Sequence, residues 1–535
     1  MLKPLALTGN ETRLDVTVLV CTYTAAWIFL LLNFSGVYWD DWSLIDQTSD
    51  TIATTYKMNG SITGAHLHLL FLSISNGIWG YRLVTFVSYL LISILIYLIL
   101  RNSEFIDRRG ALFLSLIVGV MPVNQARVAM IITPSVFALA IFFLAFYLMV
   151  LGETKKNYLA RIVSLCLYYF SFQVMSLLVF YAVPIIYVIY LSRYNIFCES
   201  VTEAFAGLVK WALKRLDYIS LPFIFFYVKL NYFETSGPYA VYNEISLDTL
   251  LYFYRDATQH ERVFNGAFYS HILKIKNELN VVVLFIFILS LAISAFYKLS
   301  PGKCKNCFNF FMVGIFMLIL AIFPYLLVGH VPENNDWNSR HQLLTVFGGS
   351  VIIYAIINRV SRGALRFTLY STVILMCVYI DQKDMLGYYK DAVKQESIIH
   401  QLSTNVEIGT KQNKIYLFED KTTTSNPNNR FYRFYEYNGW MKKAYGNQTR
   451  LGLSDGSTEN ISEVVKYAKY PEYNFSGYKS KQNVIEGKIT IIDGDIKNYT
   501  GLKILKLIAI NSLDKNSYLS ILNDYVKLSY EPIAK

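Results

Sequence analysis

The segment Val37-Tyr38-Trp39-Asp40-Asp41-Trp42-Ser43 places two adjacent carboxylates between two tryptophans, directly after a long apolar run. Carboxylates at an apolar boundary lose hydration, which raises their pKa and suits them to take a proton from a hydroxyl. Two such neighbours repel, so their protons leave in coupled steps. The residues alone leave a second reading open: a solvated turn in which Asp caps a helix and Trp39 and Trp42 anchor at the membrane interface.

A second constellation runs from Gly329-His330-Val331-Pro332-Glu333 to Asp336-Trp337-Asn338-Ser339-Arg340-His341-Gln342. Arg340 opens an apolar run, and its planar fork matches a phosphate, with His341 beside it as a further donor. Snorkelling toward lipid headgroups is the alternative. Arg127, in Pro122-Val-Asn-Gln-Ala-Arg127, is a third cation on the same side. The long loop 233–279 holds Arg255, Asp256, His260, Glu261, Arg262 and His271 among many aromatics, and reads as a substrate wall. His66 and His68 lie two apart, a poor helical spacing for one metal, and read as structural. Walker, glycine-rich nucleotide and H-E-x-x-H motifs are absent, which disfavours an ATP-driven pump. Charges inside the apolar runs are few, which disfavours an ion-coupled carrier.

What must position these residues is a bundle of membrane helices. The 535 residues are 54% hydrophobic and 16% charged, against about a quarter charged in a soluble domain. Apolar runs long enough to span are at 14–36, 80–100, 110–124, 132–151, 161–174, 175–192, 217–232, 280–297, 309–328, 343–358 and 367–382, about eleven in all. The first reads as a signal anchor without a cleavage site. Alternate loops carry Arg101, Arg108 and Arg109; Lys155, Lys156 and Arg161; Lys210, Lys214 and Arg215; and Arg359, Arg362 and Arg366. The positive-inside rule puts these in the cytoplasm, with the N-terminus, and puts Asp40, Arg340 and the C-terminus outside. The same loops account for the net charge of +11 without any nucleic-acid partner. Residues 43–58 are expected as one amphipathic helix lying on the membrane. Cys304 and Cys307 form a lone C-x-x-C, read as reduced thiols.

From 383 to 535 the pattern changes. Alternating stretches such as Lys414-Ile-Tyr-Leu-Phe and Lys488-Ile-Thr-Ile-Ile predict short strands. Asn426-Pro427, Asn438-Gly439, Asp455-Gly456 and Asp493-Gly494 predict turns. The expected architecture is a polytopic α-helical membrane domain, 1–382, with outer loops 37–79, 233–279 and 329–342, followed by a small periplasmic α/β domain, 383–535.

With Asp40-Asp41 just after the first span, the following in-plane helix, and Trp337-Asn-Ser-Arg340-His341-Gln342, the chain resembles the GT-C class of membrane glycosyltransferases. Within it, Trp39-Asp40-Asp41-Trp42 is most like the type II serotype-converting O-antigen glucosyltransferases. The acidic pair of the class is often Asp-Glu; here it is Asp40-Asp41. The resemblance implies a bacterial inner-membrane enzyme that takes one sugar, glucose, from a polyprenyl-phosphate donor. The sugar goes to a lipid-linked O-antigen or related glycan on the periplasmic face. It implies Asp40 as general base, Asp41 as its assistant or a metal ligand, and Arg340, His341 and Arg127 on the donor phosphate. Trp39, Trp42, Arg255 and Arg262 would contact substrate. The only cofactor the resemblance leaves room for is a divalent cation, Mg or Mn, on Asp40 and Asp41. A flippase of lipid-linked glycan and a glycan polymerase or ligase are the competing readings.

Overall fold

The computed structural model describes residues 10–533 except 75–76, 104–105, 193–200, 241–247, 249–250, 252–255, 257–260, 266–280, 297–306, 334–335, 424, 427–429, 457–459, 480–482 and 495–500. Arg255, His260, His271 and Cys304 lie outside the described residues.

Each expected apolar run is helical. The first is α1, Asn10–Leu31. Two short outer helices follow, α2 (Ser49–Met58) and α3 (Ile62–Ser73). The bundle continues with α4 (Ile78–Arg101), α5 (Arg108–Val120), α6 (Thr133–Lys155) and α7 (Tyr158–Ser171). Then come α8 (Ser176–Phe180), α9 (Ala182–Leu191), α10 (Val201–Lys214) and α11 (Leu216–Tyr232). The last members are α12 (Val281–Phe296), α13 (Cys307–Leu327), α14 (Thr345–Val360) and α15 (Gly363–Thr404). Among the described residues, 5 helices are long and apolar enough to cross a bilayer, and shorter apolar ones pack between them. Helix α5 stops before Pro122, as the sequence suggests, because proline cannot continue the ladder. Helices α13 and α14 approach closely through Gly314 and Gly348, where a Cβ on Gly348 would sit 2.7 Å from the Gly314 carbonyl oxygen. Without a hydrophobic drive between membrane helices, small residues at the contact supply the packing.

Of the in-plane helix expected over 43–58, Ser49–Met58 is helical; a tight turn precedes it and a second short helix follows. Trp39–Ser43 is a tight turn. Thr48 then caps α2, its hydroxyl accepting from the Thr51 amide at 3.2 Å. Gly60 at φ 66 ends that helix, and Ser61 caps α3 through the Gly64 amide at 3.2 Å. Two cap residues and one left-handed glycine are local signals that outweigh the amphipathic pattern.

Helix α15 has 42 residues and continues without a break past position 382, where the sequence suggested a boundary. Its second half is the spine of the C-terminal region. There a four-stranded sheet forms in the order β2-β1-β3-β4, from β1 (Ile415–Asp420), β2 (Leu451–Ser454), β3 (Ile485–Asp493) and β4 (Val526–Pro532). The first three are parallel and β4 is antiparallel. Helices α16 (Phe434–Tyr445), α17 (Gly501–Leu513) and α18 (Lys515–Tyr525) cover it. The core of this α/β unit, with Tyr416, Phe418, Trp440 and Ile489, is continuous with Val37, Trp42, Phe71, Tyr81 and Met130 from the outer loops. The sheet and the mouth of the bundle therefore share one apolar cluster.

Asn438-Gly439 is not a turn. Both lie inside α16, where the Asn438 carboxamide accepts from the Gly452 amide at 2.7 Å. A Cβ at Gly439 would lie 2.4 Å from Trp42 Cε3, so glycine is there for close approach and not for a bend.

Candidate active site

The two carboxylates of the loop after α1 have different environments. Asp41 is fully buried. Its Oδ2 accepts from the Tyr38 amide at 3.2 Å and its Oδ1 from the Ile131 amide at 2.9 Å, with Met130 adding a third backbone donor. Burial pushes its pKa up to about 6, against Arg82 and the three amides. Asp41 thus staples the Trp39–Ser43 turn to the loop before α6. Asp40 is half-buried, and its charge, close to the Tyr435 phenol, joins burial in pushing that phenol's pKa up. Arg433 and Tyr473 also lie in its field.

Trp39 holds this turn from the other side. It adopts φ 49, a left-handed conformation that is rare for a bulky residue. Its indole is fully buried and donates to Asp336 Oδ1 at 2.6 Å, while its amide donates to Glu436 Oε2 at 3.1 Å. Its ring lies against Trp337 at 5.3 Å, and Arg340 lies over Trp337 at 4.3 Å. On its other flank Arg430 lies 4.6 Å from the Trp39 ring. The Asp40 turn and the Arg340 turn are thereby joined through two indoles. The loop 121–132 joins the same assembly, since the Ala126 amide donates to Ser339 Oγ at 2.9 Å and the Asn124 amide to Gln342 Oε1 at 3.2 Å.

The remaining expected residues have the following surroundings. Arg340 is half-buried and donates to the Trp337 carbonyl at 3.1 Å. His341 is buried between Tyr325 at 4.8 Å and His330 at 4.9 Å, and burial, Arg340 and His330 push its pKa down to about 2. It is therefore a neutral imidazole. Arg127 is buried, and its guanidinium donates to the carbonyls of Val123 at 2.7 Å and Asn124 at 3.2 Å, between the Trp27 and Tyr89 rings. It closes its own loop, which is a different task from the phosphate contact expected of it. Trp42 is buried against Gly439 and donates to Gln395 at 3.2 Å, so it locks the turn to the α/β unit and offers no face to a substrate. Trp39 is equally enclosed. Arg262 pairs with Glu333 at 2.7 Å, tying the long outer loop to the Arg340 loop. His68 is buried, with ring nitrogens bonded to Tyr56 at 2.5 Å and Tyr81 at 2.9 Å, the structural role expected. Both Asp41 oxygens are engaged by amides, and no cluster of three metal-type ligands occurs among the described residues. The acidic pair does not fit the shared metal site considered from sequence, and no step is derived through one.

The largest contribution unseen in sequence comes from the C-terminal unit. Arg430 is buried and pairs with Asp391 at 2.9 Å and Glu436 at 2.5 Å, while Asp391 also accepts from Tyr432. Burial pushes the Glu436 carboxyl up, opposed by Arg430. Lys394, also buried, pairs with Asp420 at 2.5 Å. Residues scattered over 391–436 thus build one charged block whose free edge, Glu436, grips the Trp39 amide. Only the partner, 397 positions away, gives Glu436 its meaning, and no local pattern carries that signal.

No family model matches the chain, and no curated protein matches it. Among solved structures, ArnT from Cupriavidus metallidurans bound to undecaprenyl phosphate is similar over 95% of this chain and 95% of its own, at 12% identity and a TM-score of 0.34. At that score the likeness carries no argument about this chain.

Proposed function

We propose that the chain is a membrane glycosyltransferase that moves a single sugar, glucose, from a polyprenyl-phosphate donor to a lipid-linked O-antigen or related surface glycan. Residues 1–382 form its membrane domain and 383–535 its α/β domain. The reaction takes place on the periplasmic face of the bacterial inner membrane. The reading rests on the division of labour within the acidic pair. Asp41 is consumed by backbone amides, whereas Asp40 stays accessible on the wall that the Trp39–Trp337 contact joins to Arg340.

In the proposed step, Asp40 takes the proton of the acceptor hydroxyl as its oxygen bonds to the anomeric carbon. The bond from that carbon to the donor phosphate breaks, and the phosphate oxygen leaves with the electron pair. Arg340 faces the growing phosphate charge, and a fixed guanidinium stabilises that charge most in the transition state. Neutral His341 adds an N–H donor without competing for the proton. Asp41, Trp39, Trp42 and Arg127 position the two loops and do not touch the reacting atoms. Arg262 holds the outer loop over the Arg340 segment, and Arg255 belongs to the same loop.

The test is transfer of labelled sugar from synthetic polyprenyl-phosphate glucose into glycan by purified protein. Asp40→Asn should lower the rate by about 10²–10⁴-fold, the range for a lost general base. Activity within tenfold of the parent would remove Asp40 from the chemistry.

A further inference from the structure

Beside Asp40, on the α/β unit, lies a rim of rings that the reaction above does not use. Phe434 is 5.6 Å from Tyr473 and 5.9 Å from Tyr467; Tyr467 is 5.0 Å from Tyr473; and Tyr470 is 6.3 Å from Tyr473. All four are half-buried, so each ring keeps some open surface. The next ring, Tyr435, is 5.4 Å from Phe434 and lies in the field of Asp40. The short turn Pro471–Tyr473 packs on both α2 and the Trp39–Ser43 turn. Asn474 fixes it there, donating to the Trp42 carbonyl at 2.7 Å. Gly237 closes the rim from the long outer loop, where a Cβ would lie 3.1 Å from Met58 Sδ and 3.5 Å from Tyr470 Oη.

Within that turn is a group that the fold does not explain. Glu472 is 2% exposed, and its Oε1 has no hydrogen-bond partner among the described residues. Burial pushes its carboxyl up, opposed by its own backbone amide. A buried polar atom without a partner is costly, and folds rarely keep one without a use. The charge of Glu472 is felt by the neighbouring Tyr473 of the rim, and a carboxylate beside aromatic faces is what a sugar ring needs. Its C–H face packs on the rings, and its hydroxyls donate charge-assisted bonds to the acid. A lipid chain has no use for that oxygen.

We propose that Phe434, Tyr467, Tyr470 and Tyr473, with Glu472, form a subsite for a sugar ring of the acceptor glycan, which Tyr435 brings up to Asp40. The α/β unit then reads the acceptor, while the Arg340 loop holds the donor. This builds on the glycosyltransferase reading, and the test separates the two.

Purified full-length protein in detergent is titrated with the methyl glycosides of glucose, galactose, rhamnose and N-acetylglucosamine, and binding is followed by saturation-transfer NMR. The parent and Asp40→Asn should both bind at least one glycoside. Glu472→Gln, which keeps the shape of the side chain, and Tyr467→Ala should each bind it at least about tenfold more weakly. Both variants should melt within a few degrees of the parent. Binding by these variants equal to the parent, or none by the parent, overturns the subsite. Glycoside binding that depends on Glu472, in a protein whose sugar transfer is indifferent to Asp40→Asn, keeps the subsite and removes the enzyme reading.

Discussion

The two ends of the helix bundle are built differently. At the end carrying the basic loops, charges meet between neighbouring helices with one side of each contact partly exposed: Arg161 with Asp217 at 2.6 Å, Arg108 with Asp15 at 2.7 Å and Glu11 at 2.5 Å. The left-handed residue there, Lys156 at φ 53, is an ordinary helix C-cap, its amide bonded to Gly152. At the other end Trp39, Asp46, Asn124 and Asp336 are all left-handed, at φ 49, 58, 56 and 58. Arg430, Asp391 and Glu436 are buried beside them. Each strained residue costs about 1–3 kcal/mol and persists only where its surroundings over-determine it. Strain and buried charge together mark the face held in one shape for a purpose; the basic face only has to close loops.

The contrast can be broken at several points. The largest effect is expected for Arg430→Ala, which leaves Asp391 and Glu436 buried without their cation and should cost about 3–5 kcal/mol. A melt in detergent checks it, and a loss below 1 kcal/mol would mean that the charged block is not a unit. Next comes Asp41. The folded chain holds this carboxyl at about 6 against 3.8 unfolded, so between those values the folded state binds more protons. Stability should therefore fall as pH rises through that window, by about 3 kcal/mol in total. Asp41→Asn should flatten that slope; an identical slope in the variant would assign it to other groups. Gly439→Ala should cost about 1–3 kcal/mol by pushing Trp42 away. It should also lower sugar transfer about 10²-fold, because a displacement of about 1 Å is felt at a reacting centre. Gly348→Ala, tight against Leu318 in the membrane, should lower the melting temperature alone. If both glycine variants lose transfer in proportion to stability, the outer turn has no special positioning role. The smallest effect belongs to the basic end, where Arg161→Gln should change stability by about 1 kcal/mol or less, since its pair is partly exposed.

The helices were legible because a bilayer demands long apolar runs, and even the short runs expected at 110–124 and 161–174 are helical, over Arg108–Val120 and Tyr158–Ser171. Strands β1 and β3 were legible through alternation around Tyr416 and Ile489. The fate of the tryptophans was not. An indole flanking Asp reads equally as an interface anchor or a substrate contact, and only tertiary packing buries Trp39 and Trp42. The twin carboxylates could be found by type, but their unequal roles depend on amides at Met130 and Ile131, which sequence does not bring near. Nothing in the sequence around Arg430 and Glu436 sets them apart from the other charges of the C-terminal region. Asn438-Gly439 misled because the same dipeptide serves a bend or a tight contact.

Helix α15 has a mechanical consequence. At 42 residues it is about 63 Å long, has no proline, and is packed at one end in the bundle and at the other under the sheet. A shaft without a joint transmits torque but does not fold. Hinge bending between the bundle and the sheet is closed along this helix, so what shifts at one end is felt as rotation at the other.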